Sequence, residues 1–170
     1  ILRLVSGVEP PILIEILQNA GSAGVGGRVV EGLVTEGTDS VQQPQLAESW
    51  DISPDGKTFT FRLRQDVRWH DGTPFTSADV AFTYWQLKEI HPRRRNTFAH
   101  LEGIDDSDPH VVVLKFAQPA PFLLPALNAV SAPIVPRHLY EGTDVRTNPY
   151  NSAPVGTGPF RFVEWVKGSH

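Results

Sequence analysis

Alternating apolar and polar residues give the clearest structural signal in this chain. From Thr58 to Arg64, every second residue is a large apolar one, which is the pattern of a strand with one buried face. A second β-like run, Trp50–Ile52, is separated from it by Pro54-Asp55-Gly56, three residue types that favour a tight turn. The pattern predicts a β-hairpin with one face in the core and one in water.

Weaker signals predict further strands. Leu101–Asp105 and Val111–Phe116 form a second strand pair around the polar turn DSDPH, and short strands are predicted at Ile1–Ser6 and Gly158–Val166. Arg28–Val34 is interpreted as the end of a helix that Gly32 stops. Pro136 is predicted at the first position of a short helix.

One longer helix is predicted from Ser77 to about Ile90. Thr76 is a typical N-cap residue, and Asp79 stands where a carboxylate completes a capping box. Phe75 and Val80 occupy the two positions of a hydrophobic staple. Strands and helices are thus mixed along the chain, and the predicted fold class is α/β in the mixed α+β sense.

Composition narrows the classes of function. The 170 residues suit one ordinary domain, and 40% hydrophobic with 20% charged residues is typical of a globular protein. The net charge is −4 and Arg93–Arg95 is the only basic run, so nucleic acid is not an expected partner. The absence of cysteine excludes disulfides, thiol catalysis and thiolate metal sites. The first residues lack the features of an export signal, so any such signal was removed or lay upstream.

The segment WHDGTPFTSADV, Trp69–Val80, contains the residues that most resemble a reactive site. His70 and Asp71 are adjacent, so their side chains diverge in an extended segment, and neither has a second ligand at metal-binding spacing. No G-x-S-x-G nucleophile motif occurs in the sequence. We therefore predict no enzyme, no metal site and no cofactor, and we interpret the segment as a turn followed by a helix start.

Four pieces of the chain resemble one protein family. LAESWDISPDGKTFTFRLRQDVRWHDGTPFTSADVAFTYW, Leu46–Trp85, is similar to the signature region of the family 5 solute-binding proteins, the dipeptide-, oligopeptide- and nickel-binding receptors of bacterial ABC importers. SGVEPPIL near the start, VVEGLV at Val29–Val34 and APVGTGPFRFVEW at Ala153–Trp165 fall where that family has corresponding pieces. The chain departs from the family after Glu9, where the usual Leu-Asp-Pro is missing.

The resemblance implies a periplasmic-binding-protein type II-like fold, of which this chain would be the amino-terminal third. Residues 1–36 and 152–170 would be parts of lobe I, and residues 37–151 would be the extra domain of the family. The second lobe would be absent from this chain. Such a receptor is periplasmic or extracellular, and an upstream lipidated residue is one way of anchoring it to the membrane.

The resemblance also implies a function and a set of contacts. The receptor would capture a small solute between two lobes and deliver it to a membrane permease, with peptide as the first expectation. A nickel complex, a sugar or an opine stay open as solutes, and so does a non-transport interaction module on the same scaffold. The ligand-binding positions carried over from the family are Gln18, Ala23, Asn96, Phe98, Asn128 and Ser131.

Overall fold

Short helices and antiparallel strands make up the regular structure. The computed structural model describes residues 12–14, 16, 23–91 and 94–166. The helices are α1 Ala23–Val29, α2 Ser77–Ile90, α3 Arg94–Thr97 and α4 Arg137–Tyr140, with 3-10 turns at Leu124–Leu127 and Pro149–Asn151. The strands are β1 Val34–Glu36, β2 Gln42–Pro44, β3 Ala47–Ile52, β4 Thr58–Leu63, β5 Leu101–Asp108 and β6 Val111–Phe116.

The main sheet has four antiparallel strands in the order β3-β4-β6-β5. The predicted hairpin is confirmed as β3 and β4, with Trp50 paired to Phe61. Gly56 takes a φ of +66° in its turn, a conformation that glycine adopts without a steric penalty. The alternation places one face in the core, and its buried side chains are Phe59, Phe61, Leu63, Val112, Leu114 and Phe116.

The second predicted pair is also confirmed, but β5 is longer than expected. It runs to Asp108, so that the connection to β6 contains only Pro109 and His110. The polar residues after Asp105 form an irregularity within the strand, where the Ser107 N–H donates to the Asp105 carboxylate at 3.1 Å. A local side-chain hydrogen bond of this kind lets polar residues remain in a strand that the sequence pattern would have ended.

Helix α2 begins and ends where the sequence predicted. The capping box is formed, and the Thr76 N–H donates to Asp79 Oδ2 at 2.9 Å. Both staple residues, Phe75 and Val80, are buried. The helix packs on β5 and β6, and its apolar stripe therefore closes the core over one face of the sheet.

The interpretation of Arg28–Val34 as a helix end is wrong in its extent. Helix α1 ends at Val29, while Gly32 and Leu33 accept hydrogen bonds from the backbone of Leu46 and Ala47. Gly32 serves close packing instead of stopping the helix, because an added Cβ would lie 2.4 Å from the carbonyl oxygen of Leu127. The contact joins residues far apart in sequence, so the local pattern of apolar and polar residues could not predict it.

The strand predicted at Gly158–Val166 is also not found. The N–H groups of Gly158 and Phe160 donate to the carbonyls of Val29 and Arg28 at the end of α1, so they are not available to a strand ladder. The short helix near Pro136 is confirmed as α4, with Pro136 one position earlier, at the N-cap. The strand predicted at Ile1–Ser6 lies outside the described residues.

A single apolar cluster, extending in sequence from Ile14 to Val145, forms the core of the described chain. The hairpin of β1 and β2 crosses the predicted boundary between residues 36 and 37. The division into 1–36 with 152–170 and 37–151 stays a prediction. None of the described helices has the length and apolarity needed to cross a bilayer.

Candidate functional site

Two of the predicted contact residues share one loop. Asn128 and Ser131 follow the 3-10 turn Leu124–Leu127 and are partly exposed. The Asn128 side chain shapes this loop: its Oδ1 accepts from the N–H groups of Val130 and Ser131 at 3.0 and 2.9 Å. Its Nδ2 donates to the carbonyl of Pro125 at 2.8 Å. The amide therefore holds the backbone of the loop in place.

This loop lies against the segment that follows α1. The Ile134 N–H donates to the Glu31 carbonyl at 2.9 Å, and Gly32 approaches the backbone of Asn128 too closely for a side chain. A Cβ added at Gly27 would lie 3.9 Å from Cγ2 of Val130, so the two residues are close neighbours. Val130 is 46% exposed. The structure thus brings the second half of α1 and the residues that follow it next to residues 128–134. We call the surface formed by α1 and residues 128–131 the α1–loop face.

The other predicted contacts lie elsewhere or outside the description. Asn96 is exposed on α3, the helix that follows α2. Phe98 is fully buried, and its ring lies 5.0 Å from that of Tyr84 in the core. Gln18 lies outside the described residues, and of Ala23 only the backbone at the start of α1 is described. The side chain of Phe98 is therefore occupied in packing.

The segment Trp69–Val80 organises several distant parts of the chain. Asp79 is 5% exposed, and its carboxylate accepts from three N–H groups: Trp69 Nε1, the Thr76 backbone and the Arg137 backbone. Burial raises the pKa of Asp79, and these donors act in the opposite direction without cancelling the effect of burial. This carboxylate connects the turn before α2 to the start of α4.

Asp71 connects the same turn to α4 from the surface. Its Oδ2 lies 2.7 Å from His138 Nε2, and its Oδ1 accepts from the Thr73 N–H at 3.0 Å. Partial burial raises the pKa of Asp71, but the hydrogen bonds from Thr73 and His138 outweigh it and hold that pKa below its ordinary value of 3.8. The pair is a structural contact between elements on either side of α2.

His70 was predicted to have no chemical role, and its place in the structure could not be predicted from the sequence. Its ring and backbone contact Gly156, Gly158 and Arg161, which lie in another signature piece of the chain. The only sequence signal was that WHDG and GTGPF both belong to pieces shared with one family. Among the residues the structure describes, no three His, Asp or Glu side chains come close enough together to hold a metal ion.

Comparison with known proteins gives these features a context. The sequence profile of the bacterial extracellular solute-binding proteins, family 5 (middle part), matches residues 42–170. A putative ABC transporter peptide-binding protein of Brucella ovis is 34% identical over 129 residues, which are 71% of this chain and 24% of that protein. The chain thus spans about a quarter of the length of this curated relative.

Solved structures are similar over nearly the whole chain. NikZ of Campylobacter jejuni, in complex with Ni(L-His), is 33% identical with a TM-score of 0.84 over 95% of this chain and 32% of that one. AgaA of A. tumefaciens R10, in complex with agropinic acid, is 36% identical with a TM-score of 0.79 over 94% and 32%. These similarities confirm the predicted periplasmic-binding-protein type II-like fold.

The profile match covers most of the chain and includes both the sheet and α2, the elements that the sequence pattern predicted best. The Brucella relative is named as a putative ABC transporter peptide-binding protein, and the similarity to NikZ extends over 95% of this chain. The chain belongs to the family 5 bacterial extracellular solute-binding proteins.

Proposed function

We propose that the protein containing this chain is the solute-binding receptor of a bacterial ABC importer. It captures a small solute between two lobes, closes around it and delivers it to a membrane permease. The observation that carries the proposal is the family match over residues 42–170, joined to a fold that overlays solved receptors over nearly the full chain. The receptor would act in the periplasm or outside the cell, with membrane anchoring through a residue upstream of this chain as part of the proposal.

Peptide is the proposed solute class. The Brucella relative is named as a peptide-binding protein, and the Haemophilus influenzae OppA structure similar to this chain holds the peptide RPPGFSPFR. Nickel complexes, opines and sugars are the alternatives within the same family, the first two because solved relatives hold such ligands. Each of these classes makes a different demand on the ligand site, so they can be separated by direct binding.

The α1–loop face is the part of this chain that we propose to face the solute. It combines partly exposed polar groups at Asn128 and Ser131 with exposed apolar surface at Val130. A small number of fixed polar groups beside apolar surface is what a solute site requires. Gln18, Ala23 and Asn96 are proposed as further contacts, and Phe98 is proposed to contribute through its packing on Tyr84.

The test is a thermal-shift screen of the full-length protein. Short peptides, Ni²⁺ with L-histidine, agropinic acid and simple sugars are each added in excess, because a ligand that binds only the folded protein raises Tm by mass action. We expect peptides to raise Tm and the other classes to leave it unchanged. Uptake of the same solute should fall when the gene is deleted.

The outcomes separate the competing functions. If another class of solute raises Tm, the proposed receptor function stands and only the proposed solute class changes. If no solute class shifts Tm and deletion leaves uptake unchanged, importer function is wrong. Binding of a protein partner without any dependence on small molecules would favour an interaction module, and turnover of an added peptide or ester would favour an enzyme.

A further inference from the structure

His70 makes four polar contacts with one distant segment, residues 156–161. Its backbone N–H donates to the Gly156 carbonyl at 2.9 Å, and its backbone carbonyl accepts from the Arg161 guanidinium. Its Nε2 lies 2.8 Å from the Gly158 carbonyl oxygen, and the Gly156 N–H points at its Nδ1 from 3.4 Å. The backbone and the ring of one residue are therefore both used to hold this segment.

The partners fix the chemical form of the imidazole. A carbonyl oxygen can only accept, so Nε2 must carry the proton that it donates to Gly158. A backbone N–H can only donate, so Nδ1 must be without a proton to accept from Gly156. The geometry requires the neutral ring with its proton on Nε2.

The other side of the same segment is packed against the end of α1. The Gly158 N–H donates to the Val29 carbonyl at 2.9 Å, and the Phe160 N–H donates to the Arg28 carbonyl at 3.3 Å. These carbonyls belong to the last turn of a helix, where no partner exists within the helix itself. A Cβ at Gly156 would lie 1.8 Å from the Val29 carbonyl oxygen, so the segment has no space in which to move toward α1.

We propose that His70 is a positioning residue that fixes residues 156–161 against α1, and through them sets the place of the α1–loop face relative to the main sheet. It contacts no solute itself. The fastening of the segment stands on the contacts alone, whereas its effect on solute affinity rests on the proposed function.

The experiment uses the full-length protein with His70→Ala, His70→Asn and His70→Gln. Asparagine keeps an acceptor near the position of Nδ1, and glutamine keeps a donor near the position of Nε2. Exposed His100, replaced by glutamine, is the matched control. The measurement is amide hydrogen exchange at Gly156, which reports local opening of its hydrogen bond.

Exchange at Gly156 should accelerate by about threefold to tenfold in the alanine and glutamine variants, the factor that the loss of one hydrogen bond gives. The asparagine variant should stay close to wild type at Gly156, because its side-chain oxygen still accepts from that N–H. All three variants should lower Tm, with alanine lowering it most, and His100→Gln should change neither quantity. A merely space-filling role would not separate asparagine from glutamine at this single amide.

NMR of protein labelled with ¹⁵N-histidine determines which ring nitrogen of His70 carries the proton. At pH 7.5 the nitrogen shifts and couplings of His70 should show a proton on Nε2 and none on Nδ1. A ring protonated on Nδ1, or equal Gly156 exchange in all variants, overturns the proposal.

Solute affinity is measured last, with whichever solute shifts the wild-type Tm. His70→Ala should weaken its binding by about tenfold, the lower end of the loss seen when a residue that orients metal ligands is removed, and His100→Gln should bind as wild type. If exchange at Gly156 changes but solute affinity does not, His70 does not set the position of the α1–loop face and that part of the proposal is overturned. If the wild type binds no solute, the proposed function fails while the exchange and NMR measurements still decide the role of His70.

Discussion

At the scale of single residues, several polar side chains bind distant or irregular parts of the chain's own backbone. The Asp79 carboxylate accepts hydrogen bonds from three N–H groups, and the Asn128 side-chain oxygen accepts from two. The His70 ring contacts Gly156 and Gly158, which are distant in sequence. A buried backbone group without a partner is costly, so such side chains contribute to stability where regular structure ends. The residues in WHDG that resembled a reactive cluster are explained by this role.

The first prediction concerns Asp71 and pH. Its pKa is lowered in the folded state, so its ionised form stabilises the fold above the ordinary carboxyl range, and this stabilisation is lost as pH falls through the lowered pKa. Wild type should therefore exceed Asp71→Asn in free energy of unfolding by up to about 1 kcal/mol at pH 6, a typical value for a partly exposed pair. The difference should shrink toward pH 3.

Urea unfolding of both proteins at several pH values checks this. Glu48→Gln, which changes an exposed carboxylate on β3, serves as the control for the loss of one surface charge. A difference between wild type and Asp71→Asn that grows on acidification would contradict the prediction.

The second prediction tests whether the side-chain oxygen of Asn128 stabilises its loop. Asn128→Asp keeps the oxygen that accepts from Val130 and Ser131, whereas Asn128→Ala removes it. The alanine variant should lose about 1–2 kcal/mol of unfolding free energy, as for loss of a capping side chain, and the aspartate variant should lose less. Chemical denaturation measures both; equal losses would show that the accepting oxygen does not matter.

At the scale of elements, prediction from the sequence worked where the signal is local. The β3–β4 hairpin and α2 follow from alternation, turn residues and a capping box, all of which act within a few residues. The end of α1 and the course of residues 158–166 depend on contacts with distant backbone, so the pattern extended the helix too far and predicted a strand that is not found. The burial of Phe98 likewise depends on Tyr84, which a carried-over contact position does not reveal.

The third prediction tests the close approach between α1 and residues 156–158. Gly156→Ala should destabilise the protein by about 1–3 kcal/mol or more, the usual cost of forcing extra atoms into a packed site, because the new Cβ overlaps the Val29 carbonyl. Gly103→Ala is the matched control, since a Cβ there meets nothing within 4 Å. Thermal or urea unfolding compares the two, and a tolerated Gly156→Ala would disprove the close packing.

At the scale of the whole molecule, this chain is about one third of the solved receptors it overlays. A receptor that closes two lobes around its solute draws contacts from both, so a single part holds only some of them. The sequence identified the family because its long signature segment builds the scaffold. It did not identify the solute, because scaffold residues such as Asp79 bind N–H groups of the chain itself, so their identity carries no information about the solute.

The fourth prediction follows from this division. The 170-residue chain on its own should bind no solute tightly, and its affinity should fall at least about a hundredfold below that of the full-length receptor, consistent with the loss of two or more good contacts. Isothermal titration calorimetry with the solute found for the full-length protein measures both. A submicromolar solute for the 170-residue chain would contradict this expectation.

The bonds from Gly158 and Phe160 to the last carbonyls of α1 also constrain the order of events during synthesis. The residues of α1 leave the ribosome early, yet their helix-end carbonyls have their protein partners only after the segment around residue 158 has emerged. Contacts between such distant residues slow folding, because a long loop must close, at a cost in entropy, before the contacts can form. The sheet and α2 can therefore assemble while the chain is still growing, whereas the last carbonyls of α1 gain these partners only afterwards.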